Sequence, residues 1–388
     1  MSINIKAVLK KYFMVLVLIA VLLAFHVATG GKMLLAQNIN NLISQNAYVF
    51  VLAAGMLLCI LTGGNIDLSV GSVVCFIGGI GAVMMDKSLP ALFAVIVMLI
   101  GGILVGAWQG YWIAYIKVPP FIATLAGMYA FRGLSNVVLQ GFTVGIRNTG
   151  FLNVFGGGAD CYIPDLFGGG DLNITCVLAG IVLAAIYVIS VFRARISAKS
   201  RGYEVEPLYS ALVKTVIICA AVVWFFFKLA QYKGIPTSLI WIGIVLLTYA
   251  YITTNTTMGR YLYAVGGNEK ATTLSGIDSR KVYFFAYVNM GLMAGLGGIL
   301  TIARATQAQP TFGQGYEMDA IAACFIGGAS AYGGEGNIFG IVIGALLMGV
   351  INMGMSIMGT DANYQKVIKG LVVLGAIIFD VLSNKKKN

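Results

Sequence analysis

Histidine is nearly absent from this chain: His26 is the single one in 388 residues. That leaves nothing from which to build a histidine-based metal site or a Ser-His-Asp triad. His26 itself lies in the first apolar run and reads as an interfacial or packed residue. Charge is scarce too, at 10% of residues, against about 25% in ordinary soluble domains. Acidic residues are the scarcer sign, 14 against 25 basic, for a net charge of +11. The basic residues cluster where a membrane topology needs them. Lys6, Lys10 and Lys11 precede the first run, Arg193, Arg195, Lys199 and Arg201 share one loop, and Lys385, Lys386 and Lys387 close the chain. This is the positive-inside bias rather than a nucleic-acid footprint, so no nucleic-acid partner is expected. The six cysteines form no CxxC pair. Cys161 and Cys176 flank one loop, and nothing in the sequence decides whether they pair. No GxxxxGK[ST] phosphate loop occurs, so a nucleotide motor would have to be another polypeptide. No cofactor, metal or catalytic residue is expected.

What is abundant is apolar surface: 59% of residues are hydrophobic and the mean hydropathy is +0.90. These values imply an all-α, polytopic membrane bundle, since helices keep every backbone polar group paired in lipid. About twelve runs have spanning character: 13–29, 47–61, 68–85, 91–116, 121–139, 174–192, 211–229, 238–252, 282–302, 320–331, 338–358 and 367–382. The first is long for a cleavable signal core and reads as a retained span. Basic residues at both ends place both termini in the cytoplasm, which requires an even number of crossings. Runs 47–61 and 320–331 are short and adjoin or contain glycines; such broken segments point to substrate paths in transporters. Residues 141–171 carry Asp160, Asp165 and Asp171 against Arg147 alone and face outward as irregular structure. The chain reads as one transmembrane domain, 1–388, with a cytoplasmic loop at 256–281. Its 50 glycines, among them Gly78, Gly79, Gly81, Gly101, Gly102, Gly291, Gly295, Gly297 and Gly298, would let helix backbones approach closely.

Three polar segments interrupt the apolar pattern. In 266–277, Asn268 caps a short helix of about seven residues, Glu269 suits its positive start and Gly276 ends it. Such a helix either docks a partner or lies on the lipid headgroups. In 63–71, Asp67 is a carboxylate between apolar runs, either a functional group or the cap of a helix beginning near Leu68, with Ser69 assisting. Residues 327–337 hold so many glycines that a tight, backbone-lined turn replaces a helix. Glu317 and Asp319 stand at a helix start and carry the same ambiguity as Asp67. Arg132 and Arg304 read as snorkelling side chains, and Lys366 and Lys369 as topology signals.

The chain resembles the permease subunits of bacterial ABC importers for monosaccharides, over nearly its whole length. The motifs are 64–71 (Gly-Asn-Ile-Asp-Leu-Ser-Val-Gly), the helix start at 119–125 (Pro-Pro-Phe-Ile-Ala-Thr-Leu), Ala264-Val265-Gly266-Gly267-Asn268-Glu269, 318–323 (Met-Asp-Ala-Ile-Ala-Ala), and Gly327-Gly328 followed by Gly333-Gly334. The segment 201–207, with the extra length around it, is similar to the xylose or multiple-monosaccharide branch. The resemblance implies two permease copies around a central path, a separate ATPase and an extracytoplasmic sugar-binding protein, in the bacterial inner membrane. It implies that Gly266, Gly267, Asn268, Glu269, Lys270, Ala271, Leu274 and Gly276 couple to the ATPase. Asn65, Asp67, Ser69, Asp319, Gly327 and Gly328 become the pathway or structural set. Thr272 and Thr273 stand where such permeases often carry small residues. Competing readings are the same architecture with another cargo (a nucleoside, an autoinducer sugar or a branched-chain amino acid) and an ion-coupled secondary transporter using Asp67 or Asp319. A membrane-embedded enzyme would need histidine or paired catalytic carboxylates, which the chain lacks.

Overall fold

Apolar runs that must satisfy their own backbone in lipid fold as helices, and the computed structural model is helical almost throughout. It describes residues 5–203, 205 and 207–385. Glu204 and Glu206 of the 201–207 motif, Lys386 and Lys387, and the side chains of Lys6, Lys10, Lys11 and Lys385 lie outside the described residues. In chain order the helices are α1 (Ile5–Ala28), α2 (Ala36–Gln45), α3 (Ala47–Leu61), α4 (Val70–Asp86), α5 (Ala91–Ala114), α6 (Pro120–Leu139), α7 (Thr149–Phe155) and α8 (Ile174–Ser200). They continue as α9 (Leu208–Ala230), α10 (Thr237–Asn255), α11 (Thr257–Gly267), α12 (Glu269–Leu274), α13 (Ser279–Ala305), α14 (Tyr316–Ile326), α15 (Ile338–Ile357) and α16 (Ala362–Lys385). Two short strands, β1 (Val144–Gly145) and β2 (Gln307–Ala308), pair antiparallel. Each expected apolar run contains a helix. Among the described residues, seven helices are long and apolar enough to cross a membrane, or eight if α2 and α3 form one bent span.

Two compact units divide the chain. The larger comprises residues 1–33, 42–161 and 238–388. Its centre is α13, whose apolar window is 78% buried and which packs against α5, α3 and α4. The α5–α13 contact depends on absent side chains: a Cβ at Gly102 would lie 2.4 Å from the Gly291 carbonyl oxygen. Lipid offers no hydrophobic drive for association, so such close backbone packing is what holds the pair. Every residue of α3 is buried. Helix α14 packs on α15, α3 and α16, while α1 covers α15.

The smaller unit, residues 34–41 and 162–237, is built on the α8–α9 hairpin. Its exposed Ile181, Val182, Ile186, Val216 and Ile217 suit a lipid-facing surface. At its loop end, Tyr162 bridges Pro236. The Asp165 carboxylate accepts from the Gly169 amide (2.7 Å) and from the Thr175 amide and hydroxyl. Those bonds, the Gly169 one foremost, hold its carboxyl far below the usual range.

Several expectations change. Residues 141–171 are not wholly irregular, because Asn148 accepts from the Phe151 amide and caps α7. In the run 320–331 the helix stops at Ile326. All six cysteines are thiols.

Candidate functional site

The short polar helix α12 forms as its sequence dictates. Asn268, in extended backbone, accepts from the Ala271 amide at 3.0 Å and closes the first turn. Gly276 takes φ +88° just past the end. The helix is six residues long. Its inner side is fixed by Thr272, a buried residue whose hydroxyl donates to the Ala264 and Asn268 carbonyls, both at 2.8 Å. The opposite side presents Lys270, Ala271 and Leu274, and Leu274 is 90% exposed. Leu274 therefore packs against no other part of the chain. An open groove of about 900 Å³ runs beside it, lined by Lys117, Lys270, Leu274, Gly276, Ile277 and Arg280 among others.

Glu269 does more than suit the helix start. Its carboxylate accepts from the Ser279 hydroxyl (2.9 Å) and the Tyr283 hydroxyl (3.1 Å), tying α12 to the first turns of α13. At that start, Asp278 accepts from the Arg280 amide and side chain, and the Arg280 bonds hold its carboxyl below the usual range. A cavity of about 170 Å³ then brings separate motifs together: Asn65, Pro119, Pro120, Glu269, Arg280 and Tyr283 share its wall.

Beneath α12 the three glycine-bearing segments cross backbone to backbone. The Gly334 amide donates to the Leu61 carbonyl at the end of α3. A Cβ at Gly266 would lie 1.8 Å from that carbonyl and 2.5 Å from the Gly334 nitrogen. The Tyr263 hydroxyl of α11 donates to the Gly336 carbonyl at 2.7 Å. Residues 327–337 are therefore the expected backbone-lined turn, with positive φ at Gly328, Gly333, Gly334 and Gly336. Gly327 allows the α14 end to meet α15, since its Cβ would lie 2.6 Å from the Gly340 carbonyl group. Gly267 meets nothing within 4 Å.

Each buried carboxylate holds internal donors, although Asp319 uses only one of its two oxygens. Asp67 accepts from the Ser69 amide (2.8 Å) and hydroxyl (2.6 Å), and Gln109 of α5 donates to the same hydroxyl at 2.6 Å. This corrects the expectation of a cap at Leu68: α4 starts at Val70, and Asp67 folds a turn onto Ser69 instead. Asn65 donates to the Thr62 carbonyl. Asp319, fully buried, accepts from the Tyr48 hydroxyl (2.6 Å) and from Lys369 of α16 (2.9 Å). Lys369 is thus an ion-pair partner rather than a topology signal. Nor does Arg132 snorkel, because it donates to the Pro310 and Phe312 carbonyls. Asn65 and Glu269 share a cavity, whereas Asp67 with Ser69 and Asp319 with Lys369 form separate buried clusters. Sequence reasoning missed Tyr263, Ser279 and Tyr283, which carry no motif. Gln109 was missed too and Lys369 misread, although a lone amide and a lone lysine within apolar runs are the signals that could have found them.

Residues 38–377 match the family described as "Branched-chain amino acid transport system / permease component". The chain belongs to this permease family. It is 36% identical over 386 residues to the xylose transport system permease protein XylH of Haemophilus influenzae, covering 99% of both chains. It is 35% identical to XylH of Escherichia coli K12, covering 97% of this chain and 93% of that one. The ribose import permease protein RbsC of E. coli K12 is also 35% identical, over 96% of this chain and 93% of its own. No solved structure matches the chain significantly. Family members are transport components, and in this chain α12 is fixed on its inner side by Thr272 and Glu269.

Proposed function

We propose that the chain is the membrane-spanning permease of an ATP-driven importer for a pentose or hexose, of xylose type. The observation that carries this is the near full-length likeness to xylose and ribose permeases. The exposed Leu274 and the groove beside it, which carries Lys117, Lys270 and Arg280 together with Glu269 and Asp278, support docking of a separate ATPase at residues 256–281, with Gly266, Gly267, Asn268, Glu269, Lys270, Ala271, Leu274 and Gly276 as the coupling set. An extracytoplasmic sugar-binding protein delivers cargo on the other side, and a second copy of the chain completes the pathway. The protein sits in the bacterial inner membrane as a multi-pass transport subunit, and ATP hydrolysis belongs to the partner.

In this topology both termini are cytoplasmic and twelve segments cross: α1, α2 with α3, α4, α5, α6, α8, α9, α10, α13, α14, α15 and α16. At 1.5 Å per residue, α14 covers only about 16 Å of a hydrocarbon layer about 30 Å thick. The turn at 327–337 completes that crossing as protein-buried backbone. A push on α12 travels through Glu269 to α13, and through Gly266 and Gly334 to α3 and the 327–337 turn. ATPase closure thereby shifts α3, α13 and α14 together between outward- and inward-facing arrangements. Asn65, Asp67, Ser69, Asp319, Gly327 and Gly328 serve as the scaffold along this route. Asp67 and Asp319 already hold internal donors, which weighs against an ion-coupled transporter using them.

The family description keeps a branched-chain amino acid in view as cargo. Uptake of labelled D-xylose, D-ribose and L-leucine by cells lacking their own carriers, with and without the full operon, separates these. Operon-dependent pentose uptake that leucine does not inhibit is the expected result; leucine uptake alone would overturn the sugar reading.

A further inference from the structure

A second cavity, of about 210 Å³, opens at the end of α13 away from α12, between that helix and the starts of α3 and α14. Its wall includes Gln45, Tyr48, Thr301, Arg304, Phe312 and Tyr316. Two of its polar atoms are left under-bonded: the buried Arg304 Nε makes no hydrogen bond, and the buried Thr301 hydroxyl has only the neighbouring Tyr316 hydroxyl near it, outside good bonding geometry. Thr301 is only 8% exposed. Leaving such groups unpaired is costly, and a water or a bound ligand that donates or accepts there offsets the cost. The rings of Tyr48 and Tyr316 stack with centroids 3.6 Å apart and 12° between planes, forming a rigid aromatic wall. Tyr48 is anchored by its bond to Asp319, and Phe312 by the hold of Arg132 on its carbonyl. The site is thus built before anything binds.

The chemistry selects the occupant. Arg304 and Thr301 together offer donors and one acceptor, no carboxylate lines the wall, and the aromatic pair offers a flat apolar face. A neutral polyhydroxylated ring matches all three: hydroxyls for the guanidinium and threonine, ring C–H groups for the aromatic face. We propose that this cavity is a low-affinity monosaccharide subsite on the extracytoplasmic side, which receives the sugar before the spans rearrange. The proposal rests on the sugar-importer reading and deepens it.

The test uses the full-length chain in nanodiscs, with D-xylose as the probe in saturation-transfer NMR. Thr301→Val, an isosteric change, weakens D-xylose about fivefold, as expected for one lost hydrogen bond. Arg304→Leu weakens it further, and Arg304→Lys restores part of the loss. A fold-independent check places Ala305→Cys in the same wall, where D-xylose slows its modification by an external methanethiosulfonate. Equal D-xylose affinity in wild type and both weakening variants, or labelling that the sugar leaves unchanged, overturns the subsite. D-xylose binding that gluconate displaces while neutral sugars do not overturns it in favour of an anion site. If wild type binds no D-xylose while operon-bearing cells still import it, the subsite fails and the importer reading stands. If neither binding nor import occurs, both fail.

Discussion

At the residue scale, two positions separate backbone contact from solvent. A methyl group at Gly266 would overlap the Leu61 carbonyl, whereas one at Gly267 meets open space. Gly266→Ala therefore parts α11 from α3 at a cost of about 1–3 kcal/mol, the range for overpacking. It lowers the melting temperature and abolishes uptake, while Gly267→Ala, which meets no atom of the chain, melts as wild type; paired melting and uptake assays read the difference. Asp319 offers a second contrast. Lys369→Met leaves a buried carboxylate with Tyr48 as its remaining partner. That destabilises the chain by roughly 3 kcal/mol or more. Adding Asp319→Asn recovers most of the loss, as a detergent melting series on the single and double variants would reveal. Asp319 was legible as an unusual carboxylate, but its partner lies fifty residues away on another helix. No local pattern encodes that distance.

At the scale of elements, periodic apolar content located the spanning helices because lipid leaves the backbone no alternative. Their ends were less legible. The start of α4 moved to Val70 because the Asp67 side chain found Ser69 first. Helix α7 was hidden in a glycine-rich stretch, although its Asn148 cap is an ordinary start signal. The short polar helix α12 was read closely, cap and terminator included, because its signals are local. What no local rule supplied was its attachment through Thr272, Ser279 and Tyr283. The start of α13 carries a pH dependence of definite sign. The carboxyl of Asp278 is depressed below its ordinary value of 3.8. Its contribution is therefore present above about pH 4 and is lost as pH falls through the depressed value. Amide exchange at 279–281, compared with Asp278→Asn at each pH, will show a protection difference at pH 6 that vanishes as the acid range is entered.

For the molecule as a whole, fold class and family followed from composition and motif order, since a bilayer constrains composition along the chain and the family motifs are local runs of sequence. The candidate site was legible only around α12. Leu274 and its neighbours form a continuous motif, whereas Thr301, Arg304, Tyr48 and Tyr316 are gathered from three helices and share no spacing. Everything proposed about energy coupling depends on α12 meeting a separate ATPase. The direct measurement is mass spectrometry of what co-purifies with the tagged chain from native membranes. Wild type is run beside Leu274→Asp and a deletion of 269–276. The account predicts a stoichiometric ATP-binding-cassette protein with wild type, lost in both variants while the permease remains monodisperse. A wild-type chain that purifies alone and moves solute under an ion gradient would contradict it.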